Sequence, residues 1–563
     1  MPTFTSVLLD NNKNIPDKII LHLQKAGGED LHISYKELIE GSSRYSYALS
    51  KSGIKPGEVV VIILQHGLDL IYSYFGTILN GSIPSIMPFL TEKLLPEKYR
   101  HDLNSLIEIT KPSGIITFYE FKPELTQLED NSALKKILIV EEINQYESKN
   151  GENIFSGLNR NPDDIVLLQH SSGTTGLQKG VALSHQAVFN QLESYSKAIK
   201  LSEKDIIVSW LPLYHDMGLI ASFLMPILRG IPLVLMSPFD WVRAPHRLFK
   251  AVSDYKGTLS WLPNFAYNFC AKKIRKDDIE GVDLSCLRAV INCSEPMRFS
   301  SHQMFIERFL PYGLKASALA TCYAMAENVF AVTQDGIEKP ITIDEIDLET
   351  FQKEKIAKPF KESLQSIKMI SAGKPIAENR VRIVDDNGKD LPDRHLGEIY
   401  IQSNCMLTEY YLRKDETQRS LLDGWFKTGD LGYIADSELY ISGRKKDLII
   451  VGGKNIYPQD IEAVISEVEG VHPGRAVAFG IFNEDKGTED VIVISEIESL
   501  DSEKGNLISD EIRRRVTQST AVALRHVLLV DEKWLIKTSS GKIARSANKE
   551  KYLLEYVNII THD

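Results

Sequence analysis

The sequence of 563 residues predicts an α/β protein in two parts: a large N-terminal domain of parallel and mixed sheets with helices, and a small α+β C-terminal domain. Three observations carry that expectation. Short apolar runs alternate with helical patterns over most of the chain, as strands do when helices cross over between them. The chain is longer than a single hydrophobic core usually serves. Beyond Gly443 the alternation restarts as a separate set of elements of domain size.

Taken in order, Val59-Val-Val-Ile-Ile-Leu64 reads as a strand, Leu68 to Leu79 as a helix and Lys136-Ile-Leu-Ile-Val140 as a further strand. Ile165-Val-Leu-Leu168 reads as a buried strand, and Ser184 is placed to cap a helix running towards Ile199. Met217 to Leu228 reads as a buried helix, followed by Arg229 and Pro232. Strand signals recur at Ile231-Pro-Leu-Val-Leu-Met236 and Leu287-Arg-Ala-Val-Ile291, and these strands are expected to be mainly parallel. The stretch from Asp335 to Ser366 then breaks the pattern: crowded with charge and poor in apolar residues, it reads as an insertion on the surface of the preceding domain.

A second change follows Ile441-Ser-Gly443-Arg444-Lys-Lys446-Asp447. Beyond it come a strand at Leu448-Ile-Ile-Val451, a helix from Gln459 to Val468, strands at Ala476–Phe479 and Val491–Ile494, and a helix from Asp510. The expected division is a large domain over 1–443 carrying the 335–366 insertion, a joining segment at 444–447 and a small domain over 448–563.

A net charge of −11 argues against a nucleic-acid surface, whose footprint is basic. It leaves room for a locally positive loop. Five cysteines, Cys270, Cys286, Cys293, Cys322 and Cys405, form no Cys-x-x-Cys pair and fit reduced thiols in a cytoplasm. The N-terminal residues lack the pattern of a signal peptide, and no run reaches the ~18 apolar residues of a transmembrane helix.

Ser171-Ser172-Gly173-Thr174-Thr175-Gly176-Leu177-Gln178-Lys179-Gly180 follows the strand at Ile165–Leu168. Its glycines and hydroxyl side chains leave backbone N–H groups open on a loop that also carries a lysine, which suits a polyphosphate. A polar turn after a strand is the plain alternative. The spacing is not that of the common NTPase loop, because the lysine comes three residues after Gly176. Further polar clusters stand at the ends of apolar runs, where α/β sheets place ligand groups. They are Trp210-Leu-Pro-Leu-Tyr214-His215-Asp216-Met-Gly218, Asn292-Cys293-Ser294-Glu295-Pro296, Thr321-Cys-Tyr323-Ala-Met-Ala-Glu327 and Thr428-Gly429-Asp430, the last closing a strand–turn unit. Lys537-Thr538-Ser539-Ser540-Gly541-Lys542 lies near the C-terminus.

In order and spacing these motifs resemble the adenylate-forming superfamily of acyl and aryl ligases over nearly the whole chain. The resemblance implies that a carboxylate attacks the α-phosphorus of ATP and pyrophosphate leaves, with placed positive charge lowering the barrier between two anions. It implies that Thr174, Thr175, Gly176 and Lys179 hold the β and γ phosphates, within a nucleotide-binding stretch that includes Ser171, Ser172 and Gly173. Tyr323 is expected on adenine with Ser294 and Glu295 flanking it, and Asp430 on the ribose hydroxyls with Arg444 alongside. Glu327 is expected to hold Mg²⁺, and Lys542 to bridge the attacking carboxylate and the α-phosphate. His215 joins Lys542 and Glu327 as a candidate catalytic residue, and Lys446 matches the family's hinge position. One departure is Ala326, where many relatives carry Thr directly before the metal-binding Glu.

Met236, Phe239, Trp241 and Trp261 are candidates for a hydrophobic acyl pocket, each also readable as plain core. Leu213-Tyr-His-Asp-Met-Gly-Leu219, Pro263-Asn-Phe-Ala-Tyr267, Ser294-Glu-Pro296 and Tyr457-Pro-Gln-Asp-Ile-Glu462 look more like fatty acyl-AMP ligases than acyl-CoA synthetases. In that family an insertion at the place of 335–366 restrains the small domain, and the acyl group passes to an acyl carrier protein. The expectation is therefore a fatty acid as substrate and a carrier protein as partner, with no nucleic acid. A medium- or long-chain acyl-CoA synthetase and a silent nucleotide-binding module remain open alternatives.

Overall fold

The computed structural model describes residues 2–89, 96–128, 134–146, 155–171, 179–361, 365–451, 454–484, 487–497, 502–520, 522–538 and 542–557. Val59–Ile62, Ile83–Ile86 and Gly114–Thr117 are short strands whose residues are all buried. Continuous burial on both faces is what parallel strands covered by helices require, and these pair in parallel, with Lys136–Ile139 beyond them. The helix Leu68–Leu79 makes the crossover between the first two. Among the described residues this sheet continues through Ile165–Ser171 and Lys179–Ser184 to Glu409–Tyr410 at its edge. Ser184 caps the helix His185–Ala198, its hydroxyl accepting from the Ala187 N–H at 3.1 Å.

The second sheet has two halves. Ile19–Leu23, Leu233–Leu235, Ile207–Ser209, Leu259–Leu262, Ala289–Asn292 and Leu319–Ala324 lie side by side in parallel. Beyond them the sheet turns antiparallel, so it is mixed as a whole. Ala331–Asp335, Ser366–Pro375, Asn379–Val384, Gly397–Ser403, Trp425–Ala435 and Glu438–Arg444 pair antiparallel. Several of their connections are too short for the dozen or so residues a parallel crossover needs. Asp436 and Ser437, with φ of 54° and 65°, form a two-residue turn of the left-handed kind that matches strand twist. Thr428-Gly429-Asp430 does not close a strand–turn unit either. It lies inside Trp425–Ala435, where Gly429 takes a left-handed φ of 73°.

Met217–Leu224 winds as a π-helix and continues as the α-helix Met225–Arg229. Met217 to Leu228 is buried throughout, as the sequence implied. A Cβ on Gly218 would stand 2.2 Å from the Pro212 carbonyl oxygen, so only glycine lets this helix start so close to the preceding loop.

The 335–366 stretch is more than a surface loop. Ile343–Asp347 adds a strand to Ser366–Pro375, and Leu348–Glu354 forms a helix. Three of its apolar side chains, Ile346, Phe351 and Ala357, are buried beside Leu431, Tyr433, Tyr440 and Tyr457.

From Ile449 onward the chain packs around a separate core that includes Ile461, Ile465, Val493, Ile512 and Val516. Strands Val471–Asn483, Thr488–Ile497 and Leu524–Val530 form a sheet there. The helix expected from Asp510 begins earlier, spanning Ser502–Thr520. Arg545 ties this region together, pairing with Asp447 and Glu462 at 2.8 Å each and donating to the Ala478 carbonyl at 3.0 Å. Removing it strands two recessed carboxylates. Arg545→Ala is expected to destabilise this core by about 2 kcal/mol. Hydrogen exchange should quicken in residues 471–497 and stay unchanged in 59–62; equal acceleration in both would show that the two cores do not open separately.

Candidate active site

Three strands of the parallel half deliver the site, with Leu259–Leu262 lying between the first and the second. The chain leaves Ile207–Ser209 into Trp210–Asp216, Ala289–Asn292 into Cys293–Glu295, and Leu319–Ala324 into Met325–Glu327. Parallel strands end on the same edge, so these turns converge where α/β sheets bind ligands. The antiparallel half supplies a second wall, on which Asp430 and Arg444 are directly paired across neighbouring strands.

On that wall the Tyr323 hydroxyl donates to Asp430 Oδ2 at 2.6 Å, and Arg444 Nε stands 3.4 Å from Asp430 Oδ1. Burial pushes the Asp430 carboxyl above its ordinary range, and the Arg444 charge opposes that shift. Glu327 sits in the turn Ala326–Asn328, and burial raises its pKa too. The Tyr410 hydroxyl donates to Glu327 Oε1 at 2.8 Å and opposes that rise. Two backbone positions at this edge are strained: Ser294 has φ 68°, and Val329, β-branched and buried, has φ 61°.

Lys542 arrives from the C-terminal region, its Nζ donating to the Ser294 carbonyl at 2.6 Å. Burial lowers the pKa of His215 to about 3, with the Lys542 charge acting in the same direction, so the imidazole is neutral at physiological pH. Burial raises Asp216 and Glu295, and the same lysine opposes both shifts. Glu295 Oε2 accepts from the Phe265 N–H at 2.9 Å. The result is an ammonium set among groups that are deep in the protein yet keep part of their surface accessible. Such a group attracts an anion strongly, because little water screens it.

The C-terminal region is held over this edge by more than Lys542. Arg298 pairs with Asp460 at 2.6 Å, Phe351 stacks near Tyr457 at 6.2 Å, and Gln365 Nε2 donates to the Gln518 carbonyl at 3.0 Å. Two of these contacts come from the 335–366 stretch. Lys446 lies in the turn Lys445–Asp447, its pKa lowered to about 8 chiefly by burial, with Asp447 opposing and Arg444 and Arg545 adding to the shift.

Of the residues singled out from sequence, His215, Ser294, Glu295, Tyr323, Glu327, Asp430, Arg444 and Lys542 gather at this edge. Ser171 ends its strand, while Ser172, Gly173, Thr174, Thr175 and Gly176 lie outside the described residues. Lys179 opens the next strand, with Nζ 3.2 Å from Glu416 and 4.7 Å from the centre of the Tyr410 ring. Met236, Trp241 and Trp261 are fully buried. Trp261 donates to the Tyr195 hydroxyl at 2.8 Å, whereas Trp241 stacks on Trp210 at 3.5 Å with Phe265 and Phe269 around it. Phe239 meets Phe89 at 5.6 Å. Tyr410 and Glu416 were missed because nothing in their local sequence separates them from an ordinary core aromatic and a surface acid.

No group of three or more His, Cys, Asp or Glu side chains suited to a metal ion forms among the described residues, and none of the described helices is long and apolar enough to cross a membrane. The model of the AMP-binding enzyme family matches residues 8–411. The chain is 30% identical to the medium-chain-fatty-acid–[acyl-carrier-protein] ligase JamA of Moorena producens, over 94% of this chain and 91% of that one. It is also 30% identical to the long-chain-fatty-acid–AMP ligase FadD32 of Mycolicibacterium smegmatis, over 89% and 85% of the two chains. Among solved structures, one of the fatty acyl-adenylate ligases studied from E. coli and L. pneumophila superposes with a TM-score of 0.90 at 26% identity, covering 99% of this chain and 98% of that one. A match across most of the sequence and a shared fold over nearly all of it place the chain in the family of AMP-binding enzymes.

Proposed function

We propose that this protein is a fatty acyl-AMP ligase. A fatty acid carboxylate attacks the α-phosphorus of ATP, the bond to the β-phosphate oxygen breaks, and pyrophosphate leaves an acyl-adenylate. The thiol of an acyl carrier protein's phosphopantetheine then attacks the acyl carbonyl, forming a thioester and releasing AMP. The observation that carries this reading is Lys542 Nζ at 2.6 Å from the Ser294 carbonyl, between the neutral His215 and the recessed Asp216 and Glu295. That ammonium stands where two anions must meet, which is where positive charge lowers the barrier most. The family resemblance and the fatty acyl-AMP ligases among the relatives support the substrate class.

In this reading Asp430 accepts from the ribose hydroxyls beside Arg444, and Tyr323 and Ser294 flank the base. Lys179 and the 171–176 stretch hold the outer phosphates. His215, uncharged, packs beside Lys542 without competing for the anion. Glu327 suits Mg²⁺: a hard carboxylate oxygen is the ligand this ion takes from a protein when substrate phosphates complete its shell. When bound there, Mg²⁺ would neutralise phosphate oxygens as a Lewis acid. The aromatic group of Trp210, Trp241, Phe265 and Phe269 supports an apolar acyl pocket, with Met236, Phe239 and Trp261 as further candidates. Five free thiols are consistent with a cytoplasmic enzyme.

The described pose serves the first half-reaction, since Lys542 already reaches the site. Thiol attack needs the small domain, 448–563, to turn about a hinge at 444–447, breaking the contacts from Arg298, Phe351 and Gln365. The 335–366 insertion acts as a restraint on that turn. Carrier protein, which brings its own docking energy, overcomes it better than free CoA.

Lys542→Ala is expected to slow pyrophosphate release with a fatty acid by about a hundredfold or more while ATP still binds; a near-normal rate would reject the assignment. Because Ile346, Phe351 and Ala357 are core residues, the restraint is better tested by a point change than by excision. Phe351→Ala should raise thioester formation with free CoA by about threefold to tenfold, the worth of one aromatic contact. An unchanged CoA rate, read by mass spectrometry of the thioester, would leave the insertion with no part in acceptor choice. Lys446→Pro, which fixes φ in the hinge, should leave adenylation near normal and slow transfer to the carrier; equal slowing of both steps would move the pivot elsewhere.

A further inference from the structure

Tyr410 touches the two charged groups that the reaction must hold in register, although they come from distant parts of the chain. Its hydroxyl donates to Glu327 Oε1 at 2.8 Å, and its ring presents a face to Lys179 Nζ at 4.7 Å from the centroid. The backbone around it repeats the pattern. Leu407 N–H donates to the Glu327 carbonyl at 2.8 Å, and Ser403 Oγ donates to Asn328 Oδ1 at 2.5 Å, fixing the turn that carries Glu327. Thr408 N–H donates to the Ala182 carbonyl at 2.9 Å and Tyr411 N–H to the Gly180 carbonyl at 2.8 Å, fixing the strand that Lys179 opens. Tyr410 itself is opposite Val181 on that strand and is 5% exposed.

We infer that Tyr410 is a positioning residue that couples the phosphate lysine to the metal-binding carboxylate. The inference rests on the roles proposed above for Lys179 and Glu327. With one Oε1 lone pair engaged by the phenol, Glu327 is held in a single orientation with its other lone pairs directed elsewhere. A charge-assisted hydrogen bond of this kind fixes a carboxylate more firmly than packing does. The ring face holds the lysine by its quadrupole, leaving all three ammonium protons available for phosphate oxygens and for Glu416.

Tyr410→Phe keeps the ring and removes the hydroxyl; Tyr410→Leu removes both. Binding of an ATP analogue with a methylene bridge between the α and β phosphorus atoms, measured by calorimetry with and without Mg²⁺, separates the two contacts. For Tyr410→Phe the Mg²⁺ concentration that half-saturates the tightening of analogue binding should rise about tenfold, with Mg²⁺-free affinity unchanged. For Tyr410→Leu the Mg²⁺-free affinity should also fall, by about threefold. In a Glu327→Gln background Tyr410→Phe should add no further shift in Mg²⁺ demand. An unchanged Mg²⁺ midpoint for Tyr410→Phe, or a shift of equal size with Glu327→Gln present, overturns the inference and leaves the ligase reading standing. Failure of the native protein to bind the analogue at all would remove both.

Discussion

The contact between Lys542 and the Ser294 carbonyl sets the terms for the whole molecule. A strong positive charge is useful beside a buried phosphate only if it can also leave, because a permanently enclosed ammonium would carry a heavy desolvation cost. Mounting it on a second core solves both requirements. The charge is brought in as part of a folded unit, and the groups that meet it have had their own charge states adjusted by burial: His215 towards neutrality, Asp216 and Glu295 towards protonation. The ends of three parallel strands make the socket, and the antiparallel strands beside them make its second wall.

Much of that socket was readable in the sequence because each part of it is local. An apolar run followed by a polar cluster marks the end of a strand, and three such ends within one parallel array share one edge. The helix Leu68–Leu79 and the Ser184 cap were legible for the same reason, since cap chemistry and helical periodicity act within a few residues. What escaped depends on distance or on unusual local geometry. The antiparallel half follows from connection lengths and from a left-handed turn built on Asp436 and Ser437, with no glycine to announce it. The strand through Gly429 looks like a turn because glycine so often is one. Tyr410 earns its place only through partners far along the chain, which no window of sequence contains.

The 335–366 stretch shows how a little apolar surface suffices to organise a charged segment. Three buried side chains, Ile346, Phe351 and Ala357, fix its strand and helix against the body, and Phe351 extends the contact to Tyr457 across the domain junction. Glu349, Lys353, Glu354 and Lys355, between them, stay exposed. Composition marked it as an insertion on the surface of the large domain, and buried Ile346, Phe351 and Ala357 anchor it there. Under the function proposed above, acceptor choice becomes a question of how much energy a partner contributes to displacing this insertion, independent of the chemistry at Lys542.

Arg545 has a mechanical consequence. It clasps Asp447, the last residue of the proposed hinge, to Glu462 and Ala478 inside the small core. In the proposed swing Asp447 would then travel with that core as cargo, leaving the torsions of Arg444, Lys445 and Lys446. A pivot so short would behave like a pin joint, trading breadth of motion for a reproducible arc that returns the tip of residue 542 to the same spot.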